Sequence, residues 1–169
     1  MDGQASGPEQ GGRANAGAPP PPPIVLDGAR TIRASREHAW AILTDPAAVA
    51  ACLPVPATAE TIPPDAFCVV ATVTVVLFPI RLVVTGRFVE RVAPERAVLA
   101  GTAVVPGGGV TVQARLELRA DAEDATTLTW QLEATPTGLA ATLAGQGVPP
   151  AVLEGVERTL SCLVARAEG

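Results

Sequence analysis

Apolar and polar residues alternate along three segments in the middle of the chain, at 80–89, 110–119 and 127–133. A period of two is typical of β-strands that have one buried and one solvent-facing side. On one face of these segments Arg, Thr, Gln and Glu predominate. The other face carries Ile80, Leu82, Val84, Gly86, Phe88, Val110, Val112, Ala114, Leu116, Leu118, Leu128, Trp130 and Leu132. The pattern predicts a sheet with a single apolar inner face.

Further β-rich runs, separated by Pro or Gly, extend this pattern to a meander of about six strands. The predicted strands occupy 57–62, 67–78, 79–92, 96–105, 110–118 and 126–134. One more strand is predicted where the ordered region begins, near Val25. We therefore expect an antiparallel sheet of six to seven strands.

Two short helices are predicted between the first strand and the meander. Ser35 stands at an N-cap position before the helix 36–45, which places Trp40 on its inner face. The step from Asp45 to Pro46 ends this helix, because the residue before proline disfavours helical backbone angles. Pro46 can then open a second helix of about two turns. Such a pair can bend around one end of a sheet.

A long amphipathic helix is predicted at the C-terminus. Four apolar residues recur there at helical spacing, namely Val152, Val156, Leu160 and Leu163. The sheet's apolar face is the expected partner of this stripe. Just upstream, the segment 145–150 holds two glycines and two prolines, which should kink or split the helix.

The first 23 residues differ in composition from the rest of the chain. They consist largely of Gly, Gln, Ala and Pro and end in a proline run at 19–23. A segment with so few bulky apolar residues cannot offset the entropy of ordering, so we expect a disordered leader, although a polyproline ligand for an aromatic groove is the alternative. Residues 24–167 are predicted to form one domain.

Composition and charge exclude several function classes. The net charge is −5 and the chain contains no lysine, which argues against nucleic acid as a partner and excludes Schiff-base chemistry. Apolar residues make up 48% of the chain, yet no run approaches the roughly 20 residues of a membrane span. The first residues lack a signal-peptide pattern, so the cytoplasm is the expected location. Three widely spaced cysteines suggest neither a disulfide framework nor a zinc site.

The order of elements resembles the helix-grip fold, an α+β architecture in which two short helices support one end of a curved sheet and a long C-terminal helix lies across its mouth. Within the SRPBCC or START-like superfamily, which includes polyketide cyclases, the chain is similar to the carbon monoxide dehydrogenase CoxG (CoxG-like) family. The matching segments are AWAILTDPAAVAACLP, LFPIRLVVTGRF, GTAVVPGGGVTVQARLEL, TTLTWQLEA and GLAATLAGQG. The sequence departs from the family pattern at Val55 and Phe78, where glycine is usual.

Each candidate catalytic group has a simpler structural interpretation. His38, the one histidine, is expected on the surface of the first helix, and Cys52 and Cys68 are expected to be packing thiols. The glycines at 107–109 and the acidic residues at 121–124 are expected in hairpins and not in phosphate or metal sites. All charged side chains of the alternating segments, before their final turns, fall on the outer face. The inner wall is therefore predicted to lack an acid or base, and we expect no catalytic residue, no metal and no cofactor.

These observations favour a non-catalytic protein that holds an apolar small molecule of the lipid or quinone class between the sheet and the C-terminal helix. The residues expected to line this site are Phe88, Leu116, Trp130, Leu139, Leu143, Val152 and Val156. The resemblance further implies work beside a molybdenum-containing carbon monoxide dehydrogenase or related hydroxylase, with peripheral membrane contact left open. Two alternatives remain: an enzyme of the cyclase or dehydratase type that uses His38, Cys52 or Cys68, and an interaction module with a closed core.

Overall fold

The computed structural model describes residues 22–75, 77–145 and 150–169. The chain forms seven strands and four helices over these residues. In chain order they are β1 (Ile24–Ile32), α1 (Arg36–Leu43), α2 (Pro46–Cys52), β2 (Ala57–Ile62), β3 (Ala66–Val75), β4 (Phe78–Val92), β5 (Arg96–Val105), β6 (Gly108–Ala122), β7 (Ala125–Gly138), α3 (Leu139–Ala144) and α4 (Pro150–Glu168). The predicted leader 1–23 lies almost entirely outside the described residues.

All seven strands belong to one curved antiparallel sheet in the order β1-β7-β6-β5-β4-β3-β2. Consecutive strands from β2 to β7 pair as a meander, and β1 adds to the far side of β7. The predicted α+β helix-grip fold is confirmed. The three alternating segments take the predicted orientation, since Leu118 and Leu128 are buried while Arg115 and Thr129 are exposed.

The two short helices begin and end as their sequence indicates. The Ser35 Oγ accepts a hydrogen bond from the His38 backbone N–H at 3.3 Å, and an Asp45 carboxylate oxygen accepts one from Ala47 N–H at 3.0 Å. Pro46 opens α2. Trp40 of α1 is buried and joins the main hydrophobic core, which lies between the sheet and helices α1, α2 and α4.

Two turns of the sheet carry unusual backbone angles. The β5–β6 hairpin turns at Gly107 (φ 79°), a left-handed conformation that glycine adopts without a steric penalty. The β3–β4 hairpin turns at Leu77 (φ 82°), so β4 begins at Phe78, one residue before the predicted boundary at Pro79. Among the described residues, cis peptide bonds precede Pro64 and Pro94 and not Pro79.

A β-bulge changes the face that the end of β4 presents. The pairing of β4 with β5 shifts register between Phe88 and Glu90, so Arg91 pairs with Ala97, a fully buried inner-face residue. The guanidinium of Arg91 lies 4.7 Å from the centre of the Phe88 ring. The prediction that the inner face carries no charged side chain is therefore wrong at this position. Strict alternation predicts the outer face for Arg91, and the extra residue of the bulge reverses it.

The C-terminal helix is present but does not run unbroken from the sheet. Helix α3 ends at Ala144 and α4 begins at Pro150, as expected for the Gly- and Pro-rich segment between them. Residues 146–149 lie outside the described part of the chain. Helix α4 packs mainly against α1 and α2, and a pocket separates it from the inner face of β6 and β7.

Candidate functional site: an apolar pocket beneath the C-terminal helix

The pocket between α4 and the sheet has a volume of about 420 Å³. Its sheet wall comes from the inner face of β6 and β7, where Leu116 and Trp130 are directly paired across the two strands. The lining residues on these strands are Ala114, Arg115, Leu116, Leu128, Trp130, Gln131 and Leu132. Arg115 and Gln131 belong to outward-facing positions, so the side chains that face the pocket from the sheet are apolar.

The indole of Trp130 is the largest group on the sheet wall. Gly28 of β1 pairs with Trp130 of β7, and a Cβ atom added to Gly28 would lie 3.1 Å from the indole Cζ2 and Nε1 atoms. The absence of a side chain at Gly28 therefore makes room for the indole. Its Nε1 is buried and has no hydrogen-bond partner among the described residues. Buried donors without a partner are uncommon, and each needs an explanation.

Helix α4 forms the opposite wall. Its lining residues follow the predicted helical spacing and are Val152, Gly155, Val156, Thr159, Leu160 and Leu163. The hydroxyl of Thr159 donates to the Gly155 carbonyl oxygen at 2.8 Å, so this polar group is already satisfied within the helix. The α4 wall therefore offers an almost wholly apolar surface to the pocket.

One end of the pocket is closed by the two short helices and the segment that follows them. Leu43 of α1, Val49 of α2 and the neighbouring Leu53 and Pro54 line this end. The opening helices of the domain thus contribute to the site as well as supporting the sheet.

A disulfide bond joins this end of the pocket to α4. Cys52, the last residue of α2, is bonded to Cys162, and their Cα atoms lie 5.5 Å apart. The prediction that the cysteines form no disulfide and that Cys52 is a packing thiol is therefore wrong. The partners are separated by 110 residues, so their proximity depends on how α2 and α4 pack and not on local spacing. Cys68 is free, as predicted.

Four of the seven residues predicted to line a ligand site lie on the pocket: Leu116, Trp130, Val152 and Val156. Phe88 lies elsewhere on the inner face, with its ring centre 6.1 Å from that of Phe67. Leu139 is 55% exposed, and its side chain lies beside Gly107. The side chain of Leu143 lies outside the described part of the structure. A ligand-binding role for all seven residues stays a prediction.

Sequence reasoning missed the contributions of α1, α2 and the residues after them. Leu43 follows the helical spacing of Trp40, so its inward direction was readable from the pattern. Leu53 and Pro54 gave no such signal, because they follow a helix end. Leu160 and Leu163 were recognised as part of the apolar stripe but were assigned to packing on the sheet.

The candidate catalytic groups do not come together. His38 is exposed on α1, Cys52 is in the disulfide, and Cys68 pairs with Thr85 on the outer side of the sheet. Arg115 is the one ionisable residue among the described residues that line the pocket. Within the described residues, no group of three or more His, Cys, Asp or Glu side chains is placed to hold a metal ion.

Charged pairs lie around the pocket and fix α4 to the rest of the fold. Glu157 pairs with Arg30, and Glu168 pairs with Arg33 at 3.3 Å. The Arg33 backbone N–H also donates to a Glu168 carboxylate oxygen at 3.0 Å. This backbone bond and the guanidinium lower the pKa of Glu168 and favour its charged form. The end of α4 is therefore held by an ionised carboxylate.

The family model for CoxG, a carbon monoxide dehydrogenase subunit, matches residues 28–168. The chain belongs to the CoxG family. This match spans both walls of the pocket and the helices that close its end, and it confirms the resemblance drawn from the sequence. No curated protein sequence matches this CoxG-family chain.

Solved structures share the fold of this CoxG-family chain at low sequence identity. A conserved protein from Geobacillus kaustophilus is 14% identical with a TM-score of 0.73, over 85% of this chain and 95% of that one. The Zhui aromatase/cyclase from a Streptomyces species is 18% identical with a TM-score of 0.58, over 86% and 94%. A START superfamily protein from Mycobacterium smegmatis is 16% identical with a TM-score of 0.55, also over 86% and 94%. These similarities show a START-like fold.

Within the described residues, none of the helices combines the length and the apolar character that crossing a membrane requires.

Proposed function

We propose that this protein is a non-catalytic carrier or accessory protein that binds one apolar small molecule in the pocket beneath α4. The observation that carries the proposal is the pocket itself, which has a volume of about 420 Å³ and apolar side chains on both walls. Ligand pockets typically measure about 300–1,000 Å³ and are lined mostly by hydrophobic groups. The volume suits a ring system or part of an acyl chain.

The lipid or quinone class is the proposed ligand chemistry. An apolar wall binds either type through burial of hydrocarbon surface, at about 25 cal/mol per Å² of area removed from water. The unpartnered indole N–H of Trp130 favours a ligand that also carries a carbonyl oxygen, because that oxygen would satisfy the donor. A quinone combines both features.

Catalysis of the cyclase or dehydratase type is not favoured by the geometry. An enzyme of that kind needs an acid or base within hydrogen-bond reach of the reacting group. His38 and Cys68 do not line the pocket, and Cys52 is bonded to Cys162. The likeness to an aromatase/cyclase concerns the fold alone. A closed-core module is not favoured either, since the pocket separates α4 from the sheet.

Membership of the CoxG family supports a partner for this binding function. We propose that the protein serves a molybdenum-containing carbon monoxide dehydrogenase or a related hydroxylase in the cytoplasm. In this proposal residues 24–167 form the ligand-binding domain and residues 1–23 a leader. Size-exclusion chromatography of the protein mixed with a purified dehydrogenase tests the partner, and separate elution of the two at micromolar concentration contradicts it.

Native mass spectrometry followed by organic extraction tests the ligand. We expect the purified protein to carry a lipid or quinone at up to one molecule per chain, and the emptied protein to take up the apolar probe N-phenyl-1-naphthylamine. Val156→Phe should fill part of the pocket and weaken probe binding. The matched control is Val104→Phe, because Val104 is exposed on β5 and does not line the pocket. A protein that is free of apolar molecules and takes up no probe contradicts the carrier function.

A further inference from the structure

The disulfide between Cys52 and Cys162 lies where two walls of the pocket meet. Cys52 directly precedes Leu53, a lining residue at the closed end, and Cys162 lies between the lining residues Leu160 and Leu163 of α4. The bond therefore ties the helix that covers the pocket to the short helix that closes one end of it.

The two halves of α4 are held to the fold unequally. The C-terminal half contains Leu163 and Ala167, which are buried, and ends at Glu168, which is bound to Arg33. The N-terminal half, residues 150–161, contains no buried residue, although it provides most of the α4 pocket wall. Segments with few buried apolar contacts open at low free-energy cost.

The other contacts of this N-terminal half are weak. Glu157 pairs with Arg30, but both side chains are exposed, and exposed ion pairs contribute little. Gly155 lies against Pro54, where an added Cβ would meet the proline Cγ at 3.7 Å. Cys162 is thus the covalent anchor nearest to the part of α4 that covers the pocket.

On the basis of the proposed carrier function, we infer that the Cys52–Cys162 bond is a reversible redox latch that controls exchange of the pocket's ligand. When the bond is closed, the N-terminal half of α4 is held over the pocket. When it is reduced, that half moves away more often, and the ligand enters and leaves faster. In a reducing compartment such bonds are usually transient, which is the behaviour that a latch requires.

The chemistry is a balanced thiol–disulfide exchange with a dithiol reductant. One reductant thiolate attacks the Sγ of Cys162, which is partly exposed while Cys52 is buried, forms a mixed disulfide and releases the Cys52 thiolate. The second reductant thiol attacks its partner sulfur in that mixed disulfide and releases the Cys162 thiolate. Two electrons pass from the reductant to the protein disulfide, the two cysteines take up the two thiol protons, and the reductant leaves as its own disulfide. The reverse reaction with a disulfide oxidant closes the latch.

The test compares the full chain in its oxidised form with the same chain reduced by dithiothreitol, with thiol alkylation and intact mass reporting the redox state. We expect one alkylated cysteine in the oxidised form and three in the reduced form. Stopped-flow release of N-phenyl-1-naphthylamine should be faster after reduction by about tenfold, which corresponds to a 1.4 kcal/mol change in the opening free energy. Amide hydrogen exchange in residues 150–161 should also accelerate, whereas exchange in β6 and β7 should not.

Two variants make the result specific. Cys162→Ser should show fast release whether or not the reductant is present, and Cys68→Ser should respond like the unaltered chain, because Cys68 is free and lies on the outer side of the sheet. If Cys162→Ser fails to fold, the reduced unaltered chain provides the same open state.

Three alkylated cysteines in the oxidised preparation, or equal exchange of residues 150–161 in both redox states, would overturn the latch. Equal release rates in the two states would overturn it as well. If the probe binds in neither state while hydrogen exchange still accelerates on reduction, the redox control of α4 holds and the carrier function is the part that fails.

Discussion

Gly28 and Trp130 are paired across β1 and β7, and the indole of Trp130 lies over the position that a side chain on Gly28 would fill. A residue at the edge of the sheet thereby sets how far the largest aromatic group of the pocket reaches toward α4. The same contact surrounds the unpartnered indole Nε1.

Gly28→Val is expected to push the indole of Trp130 into the pocket. Overpacking of this kind costs about 1–3 kcal/mol of stability, and the displaced ring should also reduce the room for a ligand. Chemical denaturation and titration with N-phenyl-1-naphthylamine measure the two effects. Ala29→Val is the matched control, since Ala29 is exposed on the opposite side of β1. Equal probe affinity in the two variants would contradict this arrangement.

Gly86→Ala is expected to destabilise the fold without changing the pocket. A Cβ on Gly86 would lie 2.5 Å from the Phe67 ring, a distance that forces the ring or the strand to shift. Neither residue lines the pocket, so a loss of about 1–3 kcal/mol in unfolding free energy should leave probe affinity unchanged.

The same prediction can be isolated with a double-mutant cycle. In a Phe67→Leu background the smaller side chain leaves space, so Gly86→Ala should cost less there than in the unaltered chain. An identical cost in both backgrounds would show that the clash with Phe67 is not the cause.

Glu168→Gln is expected to lower stability near neutral pH and to have no effect in acid. The pKa of Glu168 is lowered first by the backbone N–H of Arg33 and then by its guanidinium, so folding favours the charged carboxylate. The resulting stability is fully present above the ordinary glutamate pKa of 4.5 and is lost as the pH falls through the lowered folded-state value. Thermal melts near pH 7 and near pH 3 should therefore differ between variant and unaltered chain only at the higher pH.

Arg33→Gln separates the two contributions to this pKa. The substitution removes the guanidinium but keeps the backbone N–H that donates to Glu168 at 3.0 Å. Because that bond is the larger cause, Arg33→Gln should lower the melting temperature near pH 7 less than Glu168→Gln does. A larger effect of Arg33→Gln would mean that the side-chain pair dominates.

The strands and helices were predictable because their signals are local. β4, β6 and β7 each bury one face, so a period of two identifies them, and Ser35, Asp45 and Pro46 mark helix ends through their own backbone chemistry. The inner face was assigned correctly wherever the alternation is regular. It failed at Arg91, because one inserted residue in a bulge inverts every later position of that strand.

The site was only partly predictable, because it depends on how distant elements meet. Periodicity places Phe88 and Trp130 on the same face but does not say which of them lies beneath α4. The same limit applies to Cys52 and Cys162, whose bond joins two helices that are 110 residues apart in sequence. A spacing rule cannot reveal such a pair, and composition alone suggested free thiols.

Loss of the Cys52–Cys162 bond is expected to lower global stability as well as to release α4. Cross-linking residues separated by 110 positions restricts the unfolded chain, and removing such a bond typically costs about 2–5 kcal/mol. Urea denaturation should show this loss for Cys52→Ser and Cys162→Ser. The unaltered chain measured in dithiothreitol should match both variants, because all three lack the same link. Cys68→Ser should retain the full difference between oxidised and reduced samples, whereas a similar loss in that variant would indicate a general effect of removing a thiol.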